Sequence, residues 1–358
     1  MSQKKALIAM SGGVDSAVAA YLMQRSDWDC IGVTMRLFDN KILGEDLEST
    51  CCSLDDVEDA RAVARRLGFP FYVFNFTGDF EEKVIQKFIR CYECGATPNP
   101  CIDCNRHLKF DQLMRRAEEL GCDCVVTGHY ARIMQDPDTG RYLLYRATDP
   151  SKDQSYVLYS LTQYQLAHTQ FPLGGMAKTE TRAIAEEQGF VNAKKQDSQD
   201  ICFVPDGEYV AFMERYTGKS YPAGDFLDLG GKVVGKHRGA VAYTLGQRKG
   251  LGLAMGAPVY VCGKNMDNNT VTIGPNEALF STELVAERVN FISIPELTGP
   301  MQVTAKTRYS QSEAAGVLEP LADGCVRMVF QQPQRAVTPG QAVVFYDGEK
   351  VVGGGTIR

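Results

Sequence analysis

Apolar positions in the first 200 residues come in short strand-like runs separated by stretches of helical spacing. Ala6-Leu7-Ile8-Ala9-Met10 is an unbroken apolar run of strand length, and after Asp15 the residues Val14, Val18, Tyr21 and Leu22 share one helical face. Ile31-Gly32-Val33-Thr34-Met35 predicts a second strand. Ser53-Leu54-Asp55-Asp56 reads as a capping box opening a helix with Val57, Ala60, Ala64 and Leu67 at helical spacing. Phe71-Tyr72-Val73-Phe74 and Cys124-Val125-Val126-Thr127 predict further buried strands, with helices at Phe80–Arg90, Phe110–Leu120, Leu161–His168 and Thr179–Gln188. Alternation of this kind predicts an α/β fold built on a parallel sheet covered by helices.

After Pro205 the pattern changes to short β-rich segments: Ala240-Val241-Ala242-Tyr243-Thr244, Pro258-Val259-Tyr260-Val261, Thr270-Val271-Thr272-Ile273 and Gln302-Val303-Thr304-Ala305-Lys306-Thr307. Pro339-Gly340 and Asp347-Gly348 are turn signals. Small β-domains closed as a barrel are expected here. The predicted division is an α/β domain at 1–207, a small central β-rich domain at 208–278 and a C-terminal β-barrel at 279–358.

With 358 residues, two or three domains are expected, and 44% hydrophobic with 23% charged residues gives ample material for a core. No apolar run approaches the roughly 18 residues of a membrane span, so no membrane role is expected. The N-terminal segment reads as a strand, not a signal peptide. Twelve cysteines without an export signal predict a cytoplasmic protein whose clustered thiols do metal or redox chemistry. The net charge of −6 arises before Pro205, with eight acidic residues and one lysine between Asp39 and Asp59. That balance argues against indiscriminate nucleic-acid binding but leaves room for a shaped, locally basic site.

Two motifs carry chemistry. Ser11-Gly12-Gly13-Val14-Asp15-Ser16 follows the first strand and opens a helix, where glycines admit an anion and the helix end offers free N–H groups. No lysine follows at Walker spacing and the dinucleotide three-glycine pattern is absent. The bland alternative is a tight self-capped turn. The segment resembles the pyrophosphate-binding loop of the ATP pyrophosphatase superfamily, whose members activate an oxygen by adenylation. The second motif is cysteine-based. Pro98 and Pro100 stiffen the chain before Cys104, which starts a helix near Arg106 and Lys109, a setting that favours thiolate.

Gly95–Phe110 and Lys194–Phe203, with Thr127-Gly128-His129-Tyr130, Ser151–Tyr156, Thr244–Gly252, Lys306–Tyr309 and Thr338–Tyr346, resemble the bacterial tRNA-specific 2-thiouridylase family in order along the whole chain. The resemblance implies ATP- and Mg2+-dependent 2-thiolation of the wobble uridine (U34) of lysine, glutamate and glutamine tRNAs. Sulfur would come from a persulfide donor such as a cysteine desulfurase or a sulfur-relay protein. It implies Cys202 as sulfur carrier and Cys104 as its partner thiol, the pair ending as a disulfide. Ala9, Met10, Ser11, Gly12, Gly13, Val14, Asp15, Ser16, Met35 and Gly128 would bind ATP. Asn99, Pro100 and Cys101 would hold the target base. Lys152, Asp153, Gln154, Arg308 and Tyr309 would contact tRNA, while His129 and Gln341 would govern tRNA selectivity. Some family members carry aspartate where this chain has Cys101.

Cys91 and Cys94 with Cys101 and Cys104 form C-x2-C-x6-C-x2-C, a spacing suited to zinc or an iron–sulfur cluster. A second arrangement is a cluster on Cys101, Cys104 and Cys202 with one open iron position. Cys30, Cys51, Cys52, Cys122, Cys124, Cys262 and Cys325 read as structural. Two other functions compete: a pyrophosphate-loop ligase acting on a small molecule, and a non-catalytic metal-binding RNA module.

Overall fold

The computed structural model describes residues 3–38, 54–197, 201–204 and 207–358, so Ser53 and its capping box, with Cys51 and Cys52, lie outside the described residues. The chain divides into two compact units. Residues 1–85, 100–207 and 348–353 make the first, and residues 86–99, 208–347 and 354–358 the second.

The strands of the first unit are β1 (Lys5–Ala9), β2 (Asp29–Arg36), β3 (Phe71–Asn75), β4 (Cys124–Val126), β5 (Ala131–Gln135), β6 (Tyr142–Arg146) and β7 (Thr169–Gln170). Five of them form a parallel sheet in the order β3-β2-β1-β4-β7. The apolar run at the centre explains its position: Ala6, Leu7 and Ile8 are fully buried. The helix Val14–Arg25 buries Ala17, Val18, Ala19 and Ala20 as well as Val14. Its small side chains let it lie close to the sheet, between the helices Leu54–Leu67 and Lys178–Glu187. The predicted helices are present, with two additions. π-Helical turns occupy Glu81–Ile85 and Asn105–Gln112, the second directly after Cys104.

One expectation fails here for a physical reason. Phe71–Phe74 is not a buried strand: β3 is the sheet edge, and Tyr72 and Val73 are 49% and 42% exposed. The antiparallel hairpin β5–β6 gave no clear sequence signal: Ala131, Leu143 and Leu144 are buried, but neither strand alternates buried and exposed positions.

The second unit begins with the helices Gln86–Glu93 and Tyr209–Thr217, the latter closed by Gly218 in the left-handed region (φ +68°). A four-stranded sheet follows, built from β8 (Gly224–Leu227), β9 (Val233–His237), β10 (Tyr260–Asn265) and β11 (Thr270–Gly274) in the order β10-β11-β8-β9. Phe226, Val261, Val271 and Ile273 form its core. The predicted strand at Ala240–Thr244 is instead a buried 3-10 turn, Ala240–Ala242. Gly239 (φ +110°) redirects the chain, and Asn269 Oδ1 accepts from the Ala240 N–H, so that backbone has no ladder to join. Six antiparallel strands complete the chain: β12 (Phe280–Phe291), β13 (Met301–Lys306), β14 (Ala314–Pro320), β15 (Val326–Arg335), β16 (Ala342–Asp347) and β17 (Lys350–Ile357). Their order is β12-β15-β14-β13-β16-β17, and a β12–β17 pairing closes the barrel. No helix among the described residues is long and apolar enough to cross a membrane.

Candidate functional site

In an open parallel sheet, ligands bind beyond the strand carboxyl ends where the strand order reverses. Here β1 leads to β2 on one side while β4 lies on its other side, so the reversal falls between β1 and β4. The loops leaving those two strands carry Ser11–Ser16 and Thr127–His129. Gly12 has φ +75°, and a Cβ there would lie 2.4 Å from the Asp56 carbonyl oxygen, so both conformation and space demand glycine. A Cβ on Gly128 would lie 2.8 Å from the Asp15 carbonyl carbon and the Ser16 nitrogen. The β4 loop is thus seated directly on the start of the Val14–Arg25 helix. Ser16 Oγ accepts from the Ser11 N–H at 3.2 Å and donates to Gly13 O at 3.0 Å, and Asn192 Nδ2 donates to Gly12 O at 2.9 Å. Ala9, Met10 and Met35 lie at or just beyond the carboxyl ends of β1 and β2.

Gly128→Ala tests this packing. Overpacking against backbone costs about 1–3 kcal/mol, and here the displaced atoms are the helix N-terminus. Calorimetric titration should show ATP affinity reduced on the order of tenfold, with a lower melting temperature. Unchanged affinity would remove Gly128 from the nucleotide loop.

Asp15 has partners that its local sequence does not announce. Lys178 Nζ lies 2.7 and 2.8 Å from its two carboxylate oxygens, and the Tyr130 hydroxyl donates to Asp15 Oδ1 at 2.9 Å. The same Lys178 ammonium is 2.7 Å from Asp197 Oδ1, over the Tyr130 ring at 5.7 Å. Asp197 also takes Lys152 at 2.8 Å and Arg182 at 3.2 Å. Burial acts to raise the Asp197 carboxyl, but the hydrogen bonds and charges of Lys152 and Lys178 outweigh it and hold the group below its ordinary value. Lys152, Lys178 and Arg182 thus stand among Asp15, Asp197 and Asp149, which accepts from the Lys178 N–H at 3.1 Å, next to a helix N-terminus that favours anions. Lys195, bonded to Asp56 and Asp59 at 2.7 Å each, ties the same segment to the helix behind Gly12.

The cysteines divide clearly. Cys104, Cys101 and Cys202 are thiols in the first unit, Cys101 exposed and the other two half-buried. The Cys202 segment is anchored by Phe203, whose buried ring meets Phe80 edge-on at 5.7 Å. Gln112, in the π segment after Cys104, donates to Asp79 at 2.9 Å. Both thiol segments are therefore fastened to the short helix Thr77–Phe80. By contrast, burial, with smaller help from neighbouring charges, pushes the Cys30 thiol up to about 11 and that of Cys124 to about 12. Burial also raises Cys122. These three are inert packing thiols.

Among the described residues no group of three or more His, Cys, Asp or Glu side chains converges to hold an ion. Cys91 lies on the helix Gln86–Glu93 with Cys94 just past its end, and Cys101 and Cys104 lie on the short helix Pro100–Cys104. The alternative set of Cys101, Cys104 and Cys202 fails the same test.

Several predicted tRNA contacts have internal work. Asp153 accepts from the Ala147 and Ser155 N–H groups, Gln154 Oε1 accepts from the Tyr130 N–H, and Lys152 is in the Asp197 cluster. His129 is buried, 2.7 Å from Thr127 Oγ1 and against Phe110 and Phe171. Burial, with the charge of Lys109 adding to it, holds its pKa well below the ordinary value, so it is a neutral packing group under the loop. Gln341 in the second unit donates to Thr97 O and Pro98 O at 3.0 and 3.3 Å, while the Thr97 N–H donates to Pro339 O. It braces the chain leading to Asn99. Arg308 and Tyr309, after β13, are exposed. For Gln341→Ala, two lost hydrogen bonds worth about 1 kcal/mol each should loosen residues 95–99, read as faster amide exchange there with barrel amides unchanged.

Residues 4–206 match the model of the tRNA methyl transferase HUP domain, 210–275 its PRC-barrel domain and 281–357 the aminomethyltransferase beta-barrel domain. The chain is 50% identical over 355 residues to the tRNA-specific 2-thiouridylase MnmA of Clostridioides difficile, covering 99% of this chain and 98% of that protein. It is 50% identical to the protein of that name from Acetivibrio thermocellus, with both chains fully covered. The protein of the same name from Desulforamulus reducens is 49% identical, covering 99% of this chain and 97% of that one. Half of all positions are shared from end to end, across every unit of the fold, and the chain belongs to the tRNA-specific 2-thiouridylase family.

Proposed function

We propose that this protein uses ATP to replace the C2 oxygen of a tRNA uridine by sulfur, acting on the wobble uridine of lysine, glutamate and glutamine tRNAs in the cytoplasm. The observation that carries the reading is the pairing, within one unit of a chain of this family, of an anion-ready loop with two thiols, Cys104 and Cys202, braced against the same short helix. ATP lies along Ala9–Ser16, Met35 and Gly128, and magnesium arrives with the nucleotide. The uridine C2 oxygen attacks the α-phosphorus, pyrophosphate leaves, and the oxygen becomes part of an AMP leaving group. The positive end of the helix that starts at Val14 offsets the charge that develops on the departing pyrophosphate. Asn99, Pro100 and Cys101 hold the base once it has left its stack.

Cys202 carries the sulfane sulfur as a persulfide supplied by a donor protein. In one order Cys104 attacks Cys202 Sγ, and the hydrosulfide released attacks C2 and expels AMP. In the other, the terminal sulfur attacks C2 first and Cys104 then cleaves the S–S bond. Both orders leave a Cys104–Cys202 disulfide, which an external thiol reduces by two electrons. Arg308 and Tyr309 are exposed for tRNA contact; Lys152, Asp153, Gln154, His129 and Gln341 act through the loops they brace.

Nucleoside mass spectrometry of unmodified lysine tRNA, incubated with the protein, magnesium-ATP and a persulfide source, tests the reading. The expected product is uridine heavier by the exchange of oxygen for sulfur. A gain of one methylene would favour the methyl transfer named in the family-model descriptions, and ATP turnover without tRNA would favour a small-molecule ligase.

A further inference from the structure

Gly12 is backed by two residues that no motif in the sequence announces. The Asp56 backbone packs against its Cα, where a Cβ would come within 2.4 Å of the Asp56 carbonyl oxygen. Asn192 Nδ2 donates to the Gly12 carbonyl at 2.9 Å. Lys195 stitches the two supports together: its ammonium lies 2.7 Å from Asp56 Oδ1, and its backbone N–H donates to Asn192 O at 2.9 Å. The turn that carries Asn192 is fixed by Phe190, which is buried and meets Tyr21 edge-on at 6.4 Å. Tyr21 belongs to the helix that starts at Val14, so the support and the loop share one frame.

Stability alone does not explain an asparagine there. Asn192 is 3% exposed, and its Oδ1 has no hydrogen-bond partner among the described residues. A buried acceptor left without a partner costs folding free energy, and an apolar side chain would fill the space without that cost. What the amide does follows from peptide geometry. The described chain has no cis peptide bond, and in a trans peptide the carbonyl and the next N–H point to opposite sides. Holding the Gly12 carbonyl on Asn192 therefore turns the Gly13 N–H the other way. Among the described residues no acceptor takes up the N–H of Gly12 or of Gly13. Gly13 caps the helix that starts at Val14, so its N–H joins the free N–H groups of the first turn. Two successive glycines resist a flip of the peptide between them only weakly, and the flipped peptide would aim a carbonyl oxygen at an anion.

We infer that Asn192 is a positioning residue of the nucleotide loop, clamping the Gly12 carbonyl so that the Gly13 N–H faces the β- and γ-phosphates of ATP. The inference rests on the proposed function for the placement of ATP at this loop. Asn192 thereby serves the polyphosphate and not the adenosine part of the nucleotide.

Two variants of the full-length protein test the clamp. Asn192→Asp keeps the shape but presents only acceptor oxygens to Gly12 O, and Asn192→Ala removes the amide altogether. By calorimetric titration each should bind magnesium-ATP and inorganic tripolyphosphate on the order of tenfold or more weakly, the effect of one lost hydrogen bond to a charged group. AMP, which lacks the β- and γ-phosphates, should bind as it does to wild type. Equal losses for AMP and tripolyphosphate would mean a structural role only and overturn the inference, as would unchanged tripolyphosphate affinity in Asn192→Asp. Hydrogen exchange resolved to single amides gives a reading that needs no variant. Tripolyphosphate should protect the Gly13 N–H of the wild-type protein and AMP should not; a Gly13 amide indifferent to tripolyphosphate overturns the clamp while leaving the proposed function standing. Failure of the wild-type protein to bind ATP and tripolyphosphate would overturn both.

Discussion

Cys202→Ser and Cys104→Ser should each reduce 2-thiouridine formation to background, while ATP-dependent adenylation of the same tRNA should continue at the wild-type rate. A serine hydroxyl cannot carry sulfane sulfur, so Cys202→Ser has no cargo, and Cys104→Ser has cargo with nothing to release or resolve it. The loss should be at least on the order of 10³-fold, since each change removes a covalent step. Intact-protein mass spectrometry separates the two: after treatment with a persulfide donor, Cys104→Ser retains one added sulfur on Cys202 and Cys202→Ser retains none there. Wild-type protein without reductant should make one thiouridine per chain and stop with a Cys104–Cys202 disulfide. Normal thiolation by either variant would sink the assignment of that cysteine. Cys30→Ser gives the contrast: its thiol, raised to about 11 with burial as the main cause, takes no part.

What could be read from the sequence was what its local pattern encodes. The run Ala6–Met10 followed by Ser11–Ser16 announces a buried strand and an anion loop because strand length, glycine and helix start adjoin in the chain. The barrel was legible as short strands with Pro339-Gly340 and Asp347-Gly348 turns, and Gly340 and Gly348 do take positive φ. Lys178 was not legible: it lies 163 positions from Asp15, and nothing near Ala177 marks it as more than a helix-start lysine. Within the motif Thr127–Tyr130 the sequence does not show which side chains meet Asp15. Gly128 and Tyr130 touch Asp15, while His129 turns into the aromatic core. Spacing along a chain does not fix convergence in space, and among the described residues no three His, Cys, Asp or Glu side chains are grouped to hold an ion. Lys152, Asp153, Gln154 and Gln341 have backbone and ion-pair partners within the chain that their local sequence does not announce.

Asp15→Asn lowers the rate of tRNA adenylation on the order of 10²–10³-fold, the usual cost of removing one electrostatic support from a preorganised site. Lys178→Met does at least as much and also destabilises the fold. The Lys178 side chain is 10% exposed and holds two carboxylates, whose side chains are 30% and 28% exposed. Removing the cation leaves Asp15 and Asp197 facing each other across the gap. A fully buried pair would lose about 3–5 kcal/mol, and the partial exposure of the carboxylates brings the expectation nearer 2 kcal/mol. In Asp15→Asn/Lys178→Met the stability losses should add to less than their sum, because the second change removes a charge that the first has already relieved. pH supplies an independent check. The Asp197 carboxyl titrates below its ordinary value in the folded protein, so the stability it contributes is complete at neutral pH and is lost as pH falls through that lowered value. Wild type should therefore be destabilised by acid more steeply than Asp197→Asn, whose cluster has nothing left to protonate at that position. Equal acid sensitivity of the two proteins, together with additive losses in the double variant, would mean that Lys178 does not hold the two carboxylates as a unit, and the electrostatic account of the nucleotide loop would fall with it.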